Sequence, residues 1–347
     1  MSTTRRLDEK LQRIRAGQAT RRDFILADAK DADMAFGVTA PGPGMRAPNA
    51  WKSLEEYRQQ MRDVIAQGIV DIVLLSASNL EQLAIKESRF AGSAVTPAAR
   101  ANDSSDIWLV RGGRYHTEPS RPFRTATIEH IKYGRLTEDC SAPAIGADLG
   151  LYSLTFSNRV EADWRTLDAF AAFRHEAEAK NFRYFLEVFL PNVRTGIAAR
   201  DLGAFLNDHI VRALAGVPAA GRPRFLKIPY LGPGPLEELV AADPTLVVGI
   251  LGGAAGTTFD AFQLLAEAQQ HGAWLALFGR KINLSEHPLT FIEFLRRVAD
   301  GEIPPSEAVK AYHDALAKLR VRPHRPLRAD LLPSPARSAR RTRSRSR

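Results

Sequence analysis

One feature constrains the fold more than any other: an alternation of two patterns along the whole chain. Short apolar runs rich in β-branched and aromatic residues recur at 24–26, 71–75, 125–131, 149–156, 184–189, 224–228, 246–251 and 274–278. Stretches of helical period separate most of them, most clearly at 53–67, 162–180, 199–215, 258–271 and 289–299, with a last one at 305–319. Ser53 followed by Glu56 reads as a capping box. Strands joined through helices by short links must run parallel with right-handed crossovers. Eight such units predict a closed (β/α)8 TIM barrel. A doubly wound open sheet is the structural rival, but it calls for a glycine-rich turn after an early strand, and none is present. The stretch 90–122 is long and strewn with Gly, Pro, Arg and Asn. It reads as an insertion or as a βα unit of poor pattern.

Size and composition agree with this. A chain of 347 residues, 45% apolar and 25% charged, can bury the core of one large domain. No apolar run reaches the ~18–20 residues a membrane span needs. The first residues lack the apolar segment of a secretory leader. Cys140 is the single cysteine, which excludes an internal disulfide and favours the cytoplasm as the compartment.

The net charge of +9 suggests nucleic acid at first sight, but +8 of it lies in residues 321–347 and leaves about +1 on residues 1–320. The basicity therefore belongs to a tail. We expect a single barrel domain at 1–320 and a disordered, Arg- and Ser-rich basic tail at 321–347. The tail has no aromatic residue to stack on bases, so no nucleic-acid contact is expected beyond a non-specific one.

Barrel enzymes place their chemistry at the C-terminal ends of the strands. Lys227 stands near such an end, in RFLKIPY. Burial among Phe225, Leu226 and Ile228 opposes the ammonium and favours the neutral amine that attacks a carbonyl. The same lysine could instead snorkel to the rim or pair with a carboxylate. Glu187, in YFLEVFLP one strand earlier, could pair with it and move protons during carbinolamine formation, dehydration and C–C cleavage. In ILADAKDADMAFG, Asp28 falls at the end of the first strand, with Lys30, Asp31 and Asp33 after it. Asp28 is the candidate acid for the hydroxyl proton at the breaking bond. No histidine or further acid clusters nearby, so no metal is expected. LVVGILGGAAG brings Gly252, Gly253 and Gly256 to a strand–helix junction, and FGRKI brings Gly279 and Arg280 to the next. Bare amides and a guanidinium at neighbouring strand ends suit a phosphate. Lys281 is expected to face solvent.

Together these residues resemble the class I aldolases of the deoxyribose-phosphate/tagatose-bisphosphate aldolase superfamily. The pattern is most similar to tagatose-bisphosphate and sulfofructose-phosphate aldolases. In that resemblance FLE carries the catalytic glutamate. Lys227, 40 residues after Glu187, stands where the family has its Schiff-base lysine. DAK at 28–30 is similar to an Asp-x-Arg motif, which makes Lys30 a substrate contact. GRK at 279–281 is similar to a glycine–arginine phosphate contact. The resemblance spans roughly residues 22–300 and is strongest from 149 onward. The lysine that some relatives carry on the fourth strand is missing, and GLYSLTFSN offers Tyr152, Ser153 and Thr155 instead, with Tyr152 as a candidate hydroxyl. The resemblance implies a lyase acting on a phosphorylated or anionic sugar. We further expect no cofactor and a homo-oligomer. A sugar epimerase or transaldolase on the same site, or a barrel that binds a metabolite without catalysis, would use the same residues.

Overall fold

The computed structural model describes residues 5–44, 50–252 and 256–334. Eight parallel strands close a barrel: β1 (Ile25–Lys30), β2 (Ile72–Leu75), β3 (Thr96–Arg100), β6 (Leu149–Thr155), β7 (Arg183–Phe189), β8 (Leu226–Ile228), β9 (Val248–Leu251) and β10 (Leu275–Phe278). Closure comes from β1 pairing β10, with Ile25 opposite Leu275. A small antiparallel pair, β4 (Asp103–Ser104) with β5 (Pro122–Phe123), lies outside the barrel in the connection between β3 and β6. Helices Leu54–Gln67, Val160–Ala179, Leu202–Ala215, Thr258–Gln270 and Pro288–Ala299 stand where helical period places them. Ser53 accepts the amide of Glu56, and Glu56 in turn accepts the amide of Ser53, so the capping box forms.

The third barrel strand is not where the apolar pattern put it. Residues 125–131 turn into a helix, Ile128–Tyr133, because the Thr127 hydroxyl accepts the His130 amide at 3.2 Å and starts one. The wall between β2 and β6 is filled by Thr96–Arg100, TPAAR, inside the stretch read as irregular. Ala98 and Ala99 are fully buried there despite their small size.

The pleat divides the barrel into two layers. Side chains at alternate positions point to opposite faces. Ile25, Ala27, Ala29, Leu74, Leu151, Phe185, Phe225 and Leu277 fill the lumen in one cluster. Leu26, Val73, Tyr152, Leu186, Ile250 and Phe278 pack outward against the helices in another. Leu7 and Leu11 of the helix Arg6–Arg15 join the lumen cluster and seal its N-terminal end. That helix is tied down through Asp71, which is wholly buried just before β2. Arg6 Nε lies 2.5 Å and Lys10 Nζ 3.0 Å from its carboxylate, and the Leu26 amide donates to it at 2.8 Å.

The folded part of the chain runs past residue 320. After helix Pro305–Lys318 the backbone crosses back to the barrel and forms the turn of helix Leu327–Asp330. Asp330 accepts the Thr258 amide at 2.7 Å and contacts His313 at 3.0 Å, while Thr257 donates to the Leu332 carbonyl. The described chain is thus packed against the barrel up to residue 334, past the expected boundary at 320, and residues 335–347 lie outside the described residues.

Removing one partner of a buried charge cluster strands the others, at a cost of about 3–5 kcal/mol. Asp71→Ala should lower the unfolding free energy by that amount in urea titrations. A loss under about 1 kcal/mol would show that the Asp71 cluster is not what holds the helix Arg6–Arg15.

Candidate active site

Two aromatic rings make the floor of the site. Phe185 on β7 and Phe225, just before β8, stack at 4.5 Å across the lumen. One pleat period further along, the same inward-facing rows carry Glu187 and Lys227. The strand register sets Ser153 opposite Glu187 and Glu187 opposite Lys227. Beyond Lys227 the row continues to Gly249 on β9, where a Cβ would fall 2.5 Å from the Leu275 side chain. Glycine is needed there because Leu275 already fills that part of the lumen.

Lys227 Nζ lies 2.5 Å from Glu187 Oε1. Glu187 is wholly buried and Lys227 is 5% exposed. The second carboxylate oxygen, Oε2, accepts the Ser153 hydroxyl at 2.8 Å and faces Arg100 Nη2 at 3.4 Å. Arg100 ends β3, donates through Nη1 to Ser153 Oγ at 3.0 Å, and places Nε 2.5 Å from Asp31. Burial works against its guanidinium, but Asp31 and Glu187 outweigh that and hold its pKa above the ordinary value. Ser153 is fixed in turn by Asn102. Its amide donates to Asn102 Oδ1 at 2.7 Å, and Asn102 Nδ2 donates back to its carbonyl. The long β3–β6 connection reaches the same row at Asp106, which accepts the hydroxyls of Thr155 and Ser120 at 2.7 Å each.

Next to Asp31 lies Asp33, whose carboxylate accepts Ser76 Oγ at 2.6 Å and Asn79 Nδ2 at 3.0 Å. Burial pushes its pKa up to about 6, against the pull of the Ser76 hydrogen bond. Among the described residues no three His, Cys, Asp or Glu side chains gather closely enough to hold a metal ion.

Lys227 and Glu187 thus come together at the C-terminal end of the lumen. Three other expected site residues point elsewhere. β1 runs to Lys30, so Asp28 lies inside the strand, paired in register with the outward residues Phe278 and Val73. Its carboxylate meets Lys30 at 3.1 Å between the barrel wall and the helices. There burial raises its pKa, only partly opposed by Lys30. Lys30 is fully buried on the same outer side and donates to Asn283. The acid that β1 delivers to the lumen is Asp31. Tyr152 also faces outward, with its ring stacked on Phe173 at 4.3 Å.

At the rim, Gly252 and Gly279 make close approaches. A Cβ on Gly252 would meet the Phe278 ring at 2.4 Å, and one on Gly279 would sit 3.1 Å from the Ala29 carbonyl. Gly253 lies outside the described residues. Arg280 is exposed. Lys281, expected to face solvent, is instead half-buried, donating to the Gly256 carbonyl at 2.8 Å over the Phe291 ring. Arg100 is the main residue that pattern reading missed. Its one signal was an arginine closing a run of small residues, PAAR.

No protein-family model matches the chain, and no curated protein matches it significantly in sequence. Solved structures do. An archaeal fructose-1,6-bisphosphate aldolase with its catalytic Lys covalently bound to a carbinolamine intermediate superposes at a TM-score of 0.60, with 17% identity over 85% of this chain and 100% of that one. A second structure of an archaeal fructose 1,6-bisphosphate aldolase gives 0.58 and 17%, over 85% and 99%. The fructose-bisphosphate aldolase from Slackia heliotrinireducens DSM 20476 gives 0.62 at 13% identity, over 89% and 91%. At such identities the likeness establishes the barrel fold. Among the described residues no helix is long and apolar enough to cross a membrane.

The raised pKa of Asp33 has a readable consequence. The unfolded carboxyl takes its proton near 3.8 and the folded one near 6. The ionised side chain therefore costs the fold most above pH 6, on the order of 3 kcal/mol, and the cost disappears as pH falls toward 3.8. Asp33→Asn should be more stable than wild type at pH 8, and that advantage should shrink steadily by pH 4.5. An advantage that does not change with pH would show that Asp33 ionises normally.

Proposed function

We propose that this protein is a class I aldolase, a carbon–carbon lyase that cleaves or forms a bond in a phosphorylated or anionic sugar through a Schiff base on Lys227. The observation that carries the reading is the buried Lys227–Glu187 contact of 2.5 Å at the catalytic end of a TIM barrel.

The chemistry follows from that contact. Glu187 takes a proton from Lys227 Nζ, and the freed amine adds to the substrate carbonyl carbon. Glu187 returns the proton to the carbinolamine oxygen and then carries a second one there from the nitrogen, so that water leaves and a cationic imine remains. The C–C bond next to the imine then breaks as its electrons flow into the C=N system, while the β-hydroxyl gives up its proton and becomes the carbonyl of the departing aldehyde. Asp28 cannot receive that proton from the far side of the barrel wall. Glu187 is the carboxylate in contact with Lys227 and is assigned both transfers. Ser153 and Arg100 hold its other oxygen, so the carboxylate cannot rotate away between steps. Protonation of the enamine and hydrolysis of the imine complete the cycle. Gly252, Gly279 and Arg280, at the ends of β9 and β10, are assigned to an anionic group of the substrate.

Borohydride reduction in the presence of sugar phosphates, read by intact mass, tests this. Wild type should gain the mass of a reduced adduct on Lys227, and Lys227→Ala should gain none while keeping its fold. An adduct that maps to another lysine sinks the assignment. Wild type that never traps favours a metabolite-binding barrel, trapping without C–C cleavage favours an epimerase, and cleavage that proceeds only when an acceptor aldehyde takes up the bound fragment favours a transaldolase. Glu187→Gln should reduce kcat by about 10²–10⁴-fold with a much smaller change in substrate affinity. A few-fold loss would leave Glu187 a structural partner of Lys227.

A further inference from the structure

We propose that the cleft between the C-terminal segment and the rim at β9 and β10 is a second anion site, built for a phosphate-bearing small molecule. It is a cavity of about 300 Å³ lined by Thr258, Lys281, Ser285, Glu286, His324 and Arg325. Three separate pieces of chain meet there. Thr258 begins the 13-residue helix that follows β9. Residues 281–286 follow β10, and His324 and Arg325 arrive from the segment beyond helix Pro305–Lys318.

The charge balance of the cleft points to an anion. Glu286, its one acid, is already engaged, accepting the His324 amide at 2.8 Å and the Tyr312 hydroxyl at 3.0 Å. Lys281 reaches only a carbonyl oxygen and an aromatic face. Among the described residues no carboxylate lies within ion-pair distance of Lys281 or Arg325. Lys281 is held below its usual pKa by burial, which Asp330, Glu286 and Asp260 oppose and Arg325 reinforces. Glu286 also lies 3.6 Å from the His324 ring, so the acid of the cleft is shared with the histidine, while Lys281 and Arg325 line the cavity with no carboxylate in direct contact with either. A dianion would relieve the repulsion between them, take a forked contact from the guanidinium and a point contact from the ammonium, and find the Thr258 hydroxyl beside it. Arg280, one residue before Lys281, is exposed and does not line the cleft. The site is therefore separate from the anion contact assigned to the barrel mouth.

The ligand is either a free phosphorylated metabolite or a far phosphate of the sugar itself. Binding of inorganic phosphate to the full-length protein, measured by calorimetry at constant ionic strength, tests the site without relying on the aldolase reading. In an Arg280→Ala background phosphate binding should persist. Adding Arg325→Ala, a surface change that leaves the fold alone, should weaken it about tenfold or more, and Lys281→Met should do the same. Binding that Arg280→Ala abolishes, or that neither added substitution weakens, overturns the proposal. Activity on sugars then separates the two sources. If the phosphate belongs to the sugar, Arg325→Ala raises KM for a bisphosphorylated sugar and not for a monophosphorylated one. If it belongs to a free metabolite, both KM values stay put while phosphate binding is lost. Wild type that fails to trap at Lys227 would remove the aldolase reading and leave the phosphate result standing.

Discussion

Four buried charges of alternating sign run around the upper lumen: Lys227, Glu187, Arg100 and Asp31. Each would be intolerable alone, since an unpaired ion in a protein interior costs several kcal/mol. In sequence they come from four strands or strand ends that nothing local connects. Only the barrel register makes them neighbours, by setting Ser153, Glu187 and Lys227 side by side on β6, β7 and β8. The chain thus cannot shift one strand by a residue without exposing apolar side chains and separating charges at the same time. Fold specificity and site geometry rest on the same constraint.

The same row shows how the charge of Glu187 is balanced on its β6 side. The position facing Glu187 on β6 is Ser153, too short and neutral to balance a carboxylate by itself. The positive charge comes one strand further round, from Arg100, and the serine bridges the gap.

Much of this was legible in the residues, and the failures have physical causes. Seven of the eight wall strands carry apolar, β-branched or aromatic runs that announce them. β3 does not, because TPAAR reaches its buried place with small side chains and no apolar pattern. The facing of β1 was hidden for another reason. Parallel barrel strands are buried on both sides, so Phe24, Ile25, Leu26 and Ala27 are all apolar and show no alternation. Without it, Asp28 reads as a strand end, although the strand runs on for two more residues and turns that carboxylate to the helices. Tyr152 suffers the same ambiguity on β6. Lys227 and Glu187 were found because a charged residue inside an apolar run is conspicuous whichever way it faces. The ordered stretch after residue 320 was hidden by composition. Its arginines read as a solvated tail, while the contacts that anchor it are a few hydrogen bonds between residues far apart in sequence, among them Asp330 on the first amide of a distant helix and the Leu332 carbonyl on Thr257.

The seal of Leu7 and Leu11 across the N-terminal end makes the lumen a blind well, floored by Phe185 and Phe225. A well with one opening imposes traffic rules on chemistry performed at its base. If the well performs the proposed aldol cleavage, the piece bonded to Lys227 stays moored while the other drifts free above it. Exit is then strictly last in, first out: the unmoored aldehyde must clear the mouth before water can reach the imine and release its partner. Run in reverse, the moored half must be loaded first, and an aldehyde that arrives early blocks the shaft. For such a reaction, sequential release of products and inhibition by excess aldehyde would follow from the plug at the far end of the barrel, well away from any reacting atom.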